Sequence, residues 1–394
     1  MATQTALAAA DITQLGYVAL QNYLKNKPID QVAVQRPLLK KLMSGKKTWG
    51  GGKENIVEQI RTGYDNNFEW FGDTSLNTSA AVSFNTRDTV RQAYYPWNSA
   101  HDGFQFSEDY LIGNGILIGD SQSPRNSSAA GLVQLTNVFN ESMEVLRLGF
   151  EEILDLSLHL DGTHTVGGGT STASKQINGL DFIVPCVSHT GTVGGIDRAA
   201  NTFWRNQIDM GAGLNVTTGG SYGNGYAGAA LLAPMHVMWR ACQKNGGAPD
   251  LILAGTDFIK SYEIAADAKL DRYAIQPGAH SPWNMDPSLE VKDWGTFTGL
   301  YFQGVPIMWD PVFDDAEAID SGASGGLTVP WAQRCYMLNT KHLTLRPIEG
   351  NDMIARKPPR EHTSYNYYWG MTWRGSLTAN RCNCHGVIMS TAGT

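Results

Sequence analysis

The order of three segments constrains this 394-residue chain most. A basic amphipathic arm over residues 1–52 is followed by a polar, aromatic excursion of two strands over about 53–98. A long acidic amphipathic helix over about 132–160 comes next, ahead of a Gly-rich mixed α/β half. Neither the arm nor the excursion has enough apolar surface, at a helical or a strand period, to offset the entropy lost on ordering it. Both are expected to order against other copies of the chain, which marks the protein as a subunit of an assembly before any catalytic motif is weighed.

Composition permits real cores elsewhere. With 42% apolar residues and 10% aromatics the chain can hold two or three domains. Its net charge of −7 argues against a dedicated nucleic-acid binder, but the sum conceals an uneven distribution. Residues 1–53 carry Lys25, Lys27, Arg36, Lys40, Lys41, Lys46, Lys47 and Lys53 against only Asp11 and Asp30. The first residues lack the charged and apolar regions of a signal peptide, and no run of about 18 apolar residues could span a membrane. The chain is therefore expected in the cytoplasm when made, with no membrane partner. Cys186, Cys242, Cys335, Cys382 and Cys384 form an odd, scattered set, expected as buried small hydrophobes without disulfides.

Local patterns place the elements. Leu7, Leu15, Val18 and Leu20 predict a helix over 7–25, ended by Pro28, and a shorter helix is expected over 31–43. Residues 49–52, Trp-Gly-Gly-Gly, read as a flexible joint. Strands over 56–60 and 90–95 bracket a loop in which Phe68, Glu69, Trp70 and Phe71 cluster with no core of their own. Such exposed aromatic clusters mark contact sites. Leu132, Leu135, Phe139, Met143, Leu146, Phe150 and Ile153 recur at the spacing of one helical stripe, a helix roughly 40 Å long, with Glu141, Glu144, Glu151 and Glu152 opposite. That acidic face reads as solvated or interfacial. Beyond it, strands are expected over 179–187, 249–254, 369–377 and 386–389, with a helix over 226–244 and another capped by Thr256, and further apolar segments run over 300–308 and 336–343.

Motifs with possible chemistry fail on context. Gly322-Ala323-Ser324-Gly325-Gly326 satisfies the nucleophile-elbow pattern, yet that motif needs a strand before the serine and a helix after it, and the surroundings read as a flexible loop. A serine hydrolase using Ser324 is the alternative of a different class. Cys382-Asn383-Cys384-His385 lacks the second ligand pair of a structural zinc site. His159 and His164 have no glutamate in zincin position and read as polar loop-edge residues. The glycines at 167–169 and 211–225 lack a following Lys-Ser/Thr. No catalytic, cofactor-binding or metal-ligating residue is expected.

The segment order, together with Gly195-Ile196-Asp197-Arg198-Ala199, Phe203-Trp204-Arg205-Asn206, Pro249-Asp250-Leu251-Ile252-Leu253, Gly304-Val305-Pro306-Ile307 and Leu338-Asn339-Thr340-Lys341-His342-Leu343, resembles the major capsid proteins of tailed bacteriophages over nearly the whole chain. The resemblance implies an α+β fold of the Hong Kong 97 type. It would comprise an N-terminal arm at 1–52, an extended loop at 53–98, a peripheral domain at 99–178 with a spine helix at 132–160, an axial domain at 179–335 and a return to the peripheral domain at 336–394. An icosahedral shell of pentamers and hexamers around double-stranded DNA is the implied function, with an encapsulin-like nanocompartment shell as the alternative on the same fold.

In such a shell Phe68, Trp70 and Phe71, with Arg61, Arg87 and Arg91, are the expected intersubunit contacts. Lys40, Lys41, Lys46 and Lys47 are expected to face the interior, meeting DNA phosphates or the acidic helix face. The implied partners are further copies of the chain, a separate scaffolding protein, a portal, packaged DNA and a decoration protein, all in a virion assembled in the host cytoplasm. Because the arm begins within the first dozen residues, no large N-terminal cleavage is expected. Some relatives weld subunits through a lysine of the extended loop. Between Glu54 and Asn98 this sequence has no lysine, and its arginines there are poor nucleophiles.

Overall fold

The computed structural model describes residues 35–64, 68–70, 89–107, 109, 129–167, 175–186, 189–216, 224–244, 246–268, 297–320, 323–324, 327–356 and 366–391. Pro37 opens helix α1 (Pro37–Ser44) at a position where its fixed φ suits the first turn and its missing N–H costs nothing. Leu38, Leu39 and Leu42 are its buried side. The helix expected over 31–43 thus starts at Pro37; residues 31–34, and the helix expected over 7–25, lie outside the described residues.

Behind α1 the chain is not a free joint. Lys47 and Trp49 donate backbone hydrogen bonds to Leu345 and Pro347 at 3.0 and 2.9 Å, and Glu349 returns one to Trp49 at 2.8 Å. Trp49 is stitched to a sheet edge, so the flexibility expected over 49–52 is left to the glycines after it, with positive φ at Gly51 and Gly52.

Strands β1 (Asn55–Arg61) and β2 (Val90–Pro96) pair antiparallel from Asn55↔Pro96 to Arg61↔Val90, as their sequence pattern predicts. Ile56, Ile60, Ala93 and Tyr95 are the buried side of this ribbon. One residue later comes β3 (Asn98–Ser107), where no strand is expected. Its Asn-Ser-Ala-His-Asp-Gly start has no apolar alternation, and a long partner strand near the C-terminus orders it.

Helix α2 (Ala129–His159) has 31 residues, about 46 Å at 1.5 Å per residue. Leu146 and Phe150 carry the predicted stripe into the core, with Met143 and Ile153 half-buried against it and Leu154, outside the stripe, buried as well. In the last turns the periodicity gives way. Leu154, Asp155, Leu156, Leu158 and His159 are all buried, because α1, a sheet and two later helices close round that end. The strand expected over 179–187 is instead one turn of helix, α3 (Leu180–Ile183). A Cβ at Gly179 would lie 2.2 Å from the Leu160 carbonyl oxygen, so the chain turns tightly under the end of α2 rather than extending beside it. β4 (Thr192–Val193) and β5 (Ile196–Asp197) then form a small hairpin over Gly194-Gly195.

The second half alternates strand and helix: β6 (Gln207–Asp209), α4 (Leu232–Lys244), β7 (Leu251–Ala254), α5 (Thr256–Ala268), β8 (Phe297–Phe302), β9 (Val305–Trp309) and α6 (Val312–Ile319). A short ladder of β10 (Ala323–Ser324) with β11 (Leu327–Thr328) precedes β12 (Arg334–Leu338), β13 (Leu343–Pro347), β14 (Ile354–Arg356), β15 (Asn366–Ala379) and β16 (Gly386–Met389). Helix α4 starts at Leu232, after a 3-10 turn over Gly228–Ala230, rather than at 226. Thr256 does not cap α5. Its hydroxyl donates to Asp314 Oδ2 at 3.4 Å and accepts from Trp309 Nε1 at 3.1 Å.

Two sheets organise these strands. The larger has the order β6-β16-β12-β7-β9-β8, with β16 parallel to β6 and β7 parallel to β9. Its central strands are buried on both faces, and the period of two divides them. Ile252, Ala254, Cys335, Met337 and Ile388 face a core completed by α4 and α5, while Leu253, Tyr336, Leu338 and Val387 belong to a second core shared with α2 and α6. In the smaller sheet the 14-residue β15 is central, with β13 and β14 on one edge and β3 on the other.

Candidate assembly surface

The β1/β2 ribbon is fixed at its root, and two aromatic rings in the segment beyond it are exposed. Tyr95 donates its hydroxyl to the Ala379 carbonyl at 2.7 Å, and the Glu58 carboxylate accepts from Arg346 Nη2 at 2.6 Å and from Thr378 at 3.2 Å. From the other side the β4–β5 hairpin leans on β2. The Tyr94 N–H donates to Gly194 at 2.9 Å, and a Cβ on Gly194 would lie 2.8 Å from that of Ala93. Beyond this root Phe68 and Trp70 meet edge to face at 5.2 Å, yet remain 72% and 92% exposed. Covering each such ring, about 150–250 Å² of surface, yields roughly 4–6 kcal/mol before the entropy of docking is subtracted.

The expected contact cations divide. Arg61 is exposed. Arg91 donates to Asn201 of its own chain at 3.0 Å and braces the root. Phe71 and Arg87 lie outside the described residues.

Of the four lysines, Lys40 donates to Gln35 at 2.8 Å, Lys41 is 3.5 Å from Asp250, Lys46 pairs with Asp352, and Lys47 binds Leu345 through its backbone. The meeting of arm and acidic helix face occurs within one chain, and it is Arg36 that reaches Glu152, at 3.5 Å. Glu151 is held by Arg147 one turn away.

Behind this surface lies a buried ionic joint. His159, expected at a loop edge, is fully buried in the last turn of α2. Its Nδ1 is 2.8 Å from the Asp155 carbonyl oxygen, which can only accept, and its Nε2 is 3.0 Å from Asp310 Oδ2. Nδ1 therefore donates, and Nε2 shares a proton with the Asp310 carboxyl. The two aspartates hold its pKa up, at about 9, against the opposing pull of burial. Asp155 is also fully buried. Its carboxylate oxygens make no hydrogen bond of ordinary length, although they feel Arg36 and the Leu39 N–H of α1, and burial lifts the carboxyl to about 7. The joint ties arm helix, long helix and the end of β9 together.

The motifs with possible chemistry do not assemble. Ser324 ends a two-residue strand paired with β11, so a strand rather than a helix follows it and the elbow geometry is missing; the flexible loop expected there is a short hairpin. Cys382, Cys384 and His385 are buried, and burial pushes the thiols up to about 12 and the imidazole down to about 4. All five cysteines are buried and free. His164 sits 3.9 and 3.7 Å from Asp161 and Asp320 in a partly exposed pair. Among the described residues no group of three or more His, Cys, Asp or Glu could hold a metal ion, and no helix is long and apolar enough to cross a membrane.

No protein-family model matches the sequence, and no curated protein matches it. Solved structures do. A chain of the cyanophage A-1(L) capsid asymmetric unit superposes with a TM-score of 0.56 at 15% identity, covering 93% of this chain and 97% of that one. The chain has the Hong Kong 97-type capsid fold. Weaker likenesses are to the capsid of Myoviridae phage XM1 (TM-score 0.46, 12% identity, 98% and 99% covered) and to the capsid of a native GTA particle (0.47, 10%, 98% and 100%).

In this Hong Kong 97-type chain the two-strand ribbon and the long helix form where their sequence patterns predict them, whereas the buried joint was not foreseen. Its only sequence signal is the spacing of Asp155 and His159, four apart among leucines, which sets two ionisable groups on one face of an otherwise apolar helix end.

Proposed function

We propose that the chain is the major capsid subunit of a tailed phage, assembling as pentamers and hexamers into an icosahedral shell that encloses double-stranded DNA. The observation that carries this reading is the likeness to the cyanophage capsid chain along nearly the full length of both. The exposed rings of Phe68 and Trp70 beyond the rooted ribbon support it, since exposed aromatic clusters mark contact sites. Heterologous contacts between successive copies close into rings, and many modest contacts add up to a stable shell.

The role is structural, without catalysis. We divide the chain into an arm at 1–52, an extended loop at 53–98, a peripheral domain at 99–178, an axial domain at 179–335 and a C-terminal part at 336–394. Within that last part β13, β14 and β15 go with the smaller sheet, and β16, beside β12, with the larger. A scaffolding protein, a portal, DNA held through phosphates and a decoration protein are its partners, in the virion.

Sedimentation and negative-stain microscopy of the purified protein test the proposal. Pentamers, hexamers or shells are expected; a monomer at every accessible concentration would overturn it.

A further inference from the structure

At the C-terminal end of α2, one carboxyl in the buried joint is left unbonded. His159 uses both ring nitrogens, toward the Asp155 carbonyl at 2.8 Å and Asp310 Oδ2 at 3.0 Å. Asp310 uses both carboxyl oxygens, since its Oδ1 accepts from the Val312 N–H at 3.2 Å. Asp155 uses neither. Its Oδ1 is 3.8 Å from His159 Nδ1, and both oxygens are shut away from water without a hydrogen bond of ordinary length. A carboxyl so placed is tolerated as the neutral acid and costly as an anion, unless water can be let in.

The element that can let water in is α1. It has eight residues, of which Pro37, Leu38, Leu39 and Leu42 are buried, and a helix of that length is stable only when seated on something. Arg36 just before it and the Leu39 N–H in its first turn both act on Asp155. Arg36 also reaches the half-exposed Glu152 at 3.5 Å, so one guanidinium stands between an outer and an inner carboxyl of α2. The far side of the joint is held more firmly. The Asp310 N–H donates to Ala254 of β7 at 3.1 Å, and α6 behind it is packed into the core through Val312, Phe313 and Ala316.

We propose that the joint is a proton-operated latch on the arm: α1 stays seated on α2 while Asp155 holds a proton, and lifts from it when that carboxyl ionises. The charged groups acting on Asp155 are His159 on its own helix, Asp310 at the end of β9 and Arg36 beside α1. Those on the other elements packed round this helix turn elsewhere. Asp181 of α3 meets Arg334 and Tyr336, Asp314 and Glu317 of α6 meet Thr256 and the Ala332 N–H, and Asp102 of β3 accepts from the Gly103 N–H. Arg374 of β15 stands on the sheet face opposite the core residue Trp373. The latch is internal to one chain and works whether or not copies assemble.

Burial sets its direction. Seated, Asp155 is pushed from 3.8 to about 7, mainly by desolvation, against the pull of His159 and Arg36. Unseated, it meets water and returns towards its ordinary value. The seated value is the higher, so the seat is firmest in acid and weakens by up to about tenfold per pH unit until pH passes about 7. His159 keeps its proton through that window, because its own value is about 9.

Hydrogen exchange of the full chain, read by mass spectrometry on residues 37–44 and corrected for the intrinsic pH dependence of exchange, tests the latch. Opening of α1 should rise by about ten- to a hundredfold between pH 5 and 7, while β7 stays protected. Asp155→Asn should remove that rise. A flat response, a rise that survives in Asp155→Asn, or an equal rise in β7 would overturn the proposal. If the asparagine variant does not fold, Arg36→Gln decides. Without the guanidinium the seated carboxyl ionises less readily, so the rise should extend to higher pH than in the unmodified chain. An upper end that stays put or moves down would overturn Asp155 as the sensor.

Discussion

Arg334 is 1% exposed, and each part of its guanidinium is used. Nε and Nη2 both donate to the Val329 carbonyl, at 3.0 and 2.7 Å, Nη1 lies near Asp181 and the Tyr336 hydroxyl, and the plane sits 4.0 Å over Trp331. A lysine has the charge but neither the fork nor the flat face. Arg334→Lys should therefore cost about 2–4 kcal/mol, read as a lower urea midpoint with an unchanged slope.

Asp155 and His159 bear on pH in the same direction. Both have pKa values raised by the fold, to about 7 and about 9. A raised group stabilises most below its unfolded value and loses that contribution as pH climbs through its folded value. The joint is thus tightest in acid and loosens over two windows, Asp155's between the ordinary carboxyl value and about 7 and His159's between the ordinary imidazole value and about 9. Asp155→Asn imitates the protonated carboxyl, so its melting temperature should fall less between about pH 4 and 7 than that of the unmodified chain, while the fall above about pH 7 that His159 supplies remains. A fall of equal size in both would remove Asp155 from the account.

At the level of elements, the ribbon depends on a contact at its root as much as on its own pairing. Gly194 has φ of 60° and no space for a Cβ against Ala93. Gly194→Ala should lower stability by about 1–2 kcal/mol and raise hydrogen exchange in β2 above that in β7.

How far the elements could be read from sequence follows from where their order originates. β1, β2, α2, β7 and β16 carry their own apolar period and were legible. β3 was not, because ten positions of β15 order it. α3 occupies a stretch whose apolar residues suit a strand, and only the closeness of Gly179 to the end of α2 turns it. Trp49 read as part of a joint because nothing local announces a bond to a strand about 300 residues away. Phe68 and Trp70 were legible as exposed rings, while the joint of Asp155, His159 and Asp310 was not, since Asp310 comes from a segment about 150 residues away.

For the molecule as a whole, cohesion in the proposed assembly is expected without a weld through a lysine of the extended loop or through disulfides. The stretch from Glu54 to Asn98 has no lysine, and every cysteine is buried, with thiols pushed well above neutrality by desolvation. Boiled particles without reductant should run as a band near 42.9 kDa. A ladder of higher multimers surviving that treatment would contradict this account. In the proposed shell, aromatic contacts and arginine–carboxylate pairs repeated from copy to copy would do the holding.

The central place of β15 sets a clock. Synthesis reaches β15 259 residues after it has left β3, which at about 5–20 residues per second takes roughly 15–50 s. Until then Tyr95 has no Ala379 to anchor on and Glu58 has no Thr378. A chain still on the ribosome cannot brace its ribbon, so the surface that its two strands carry takes its final place only when synthesis is nearly done.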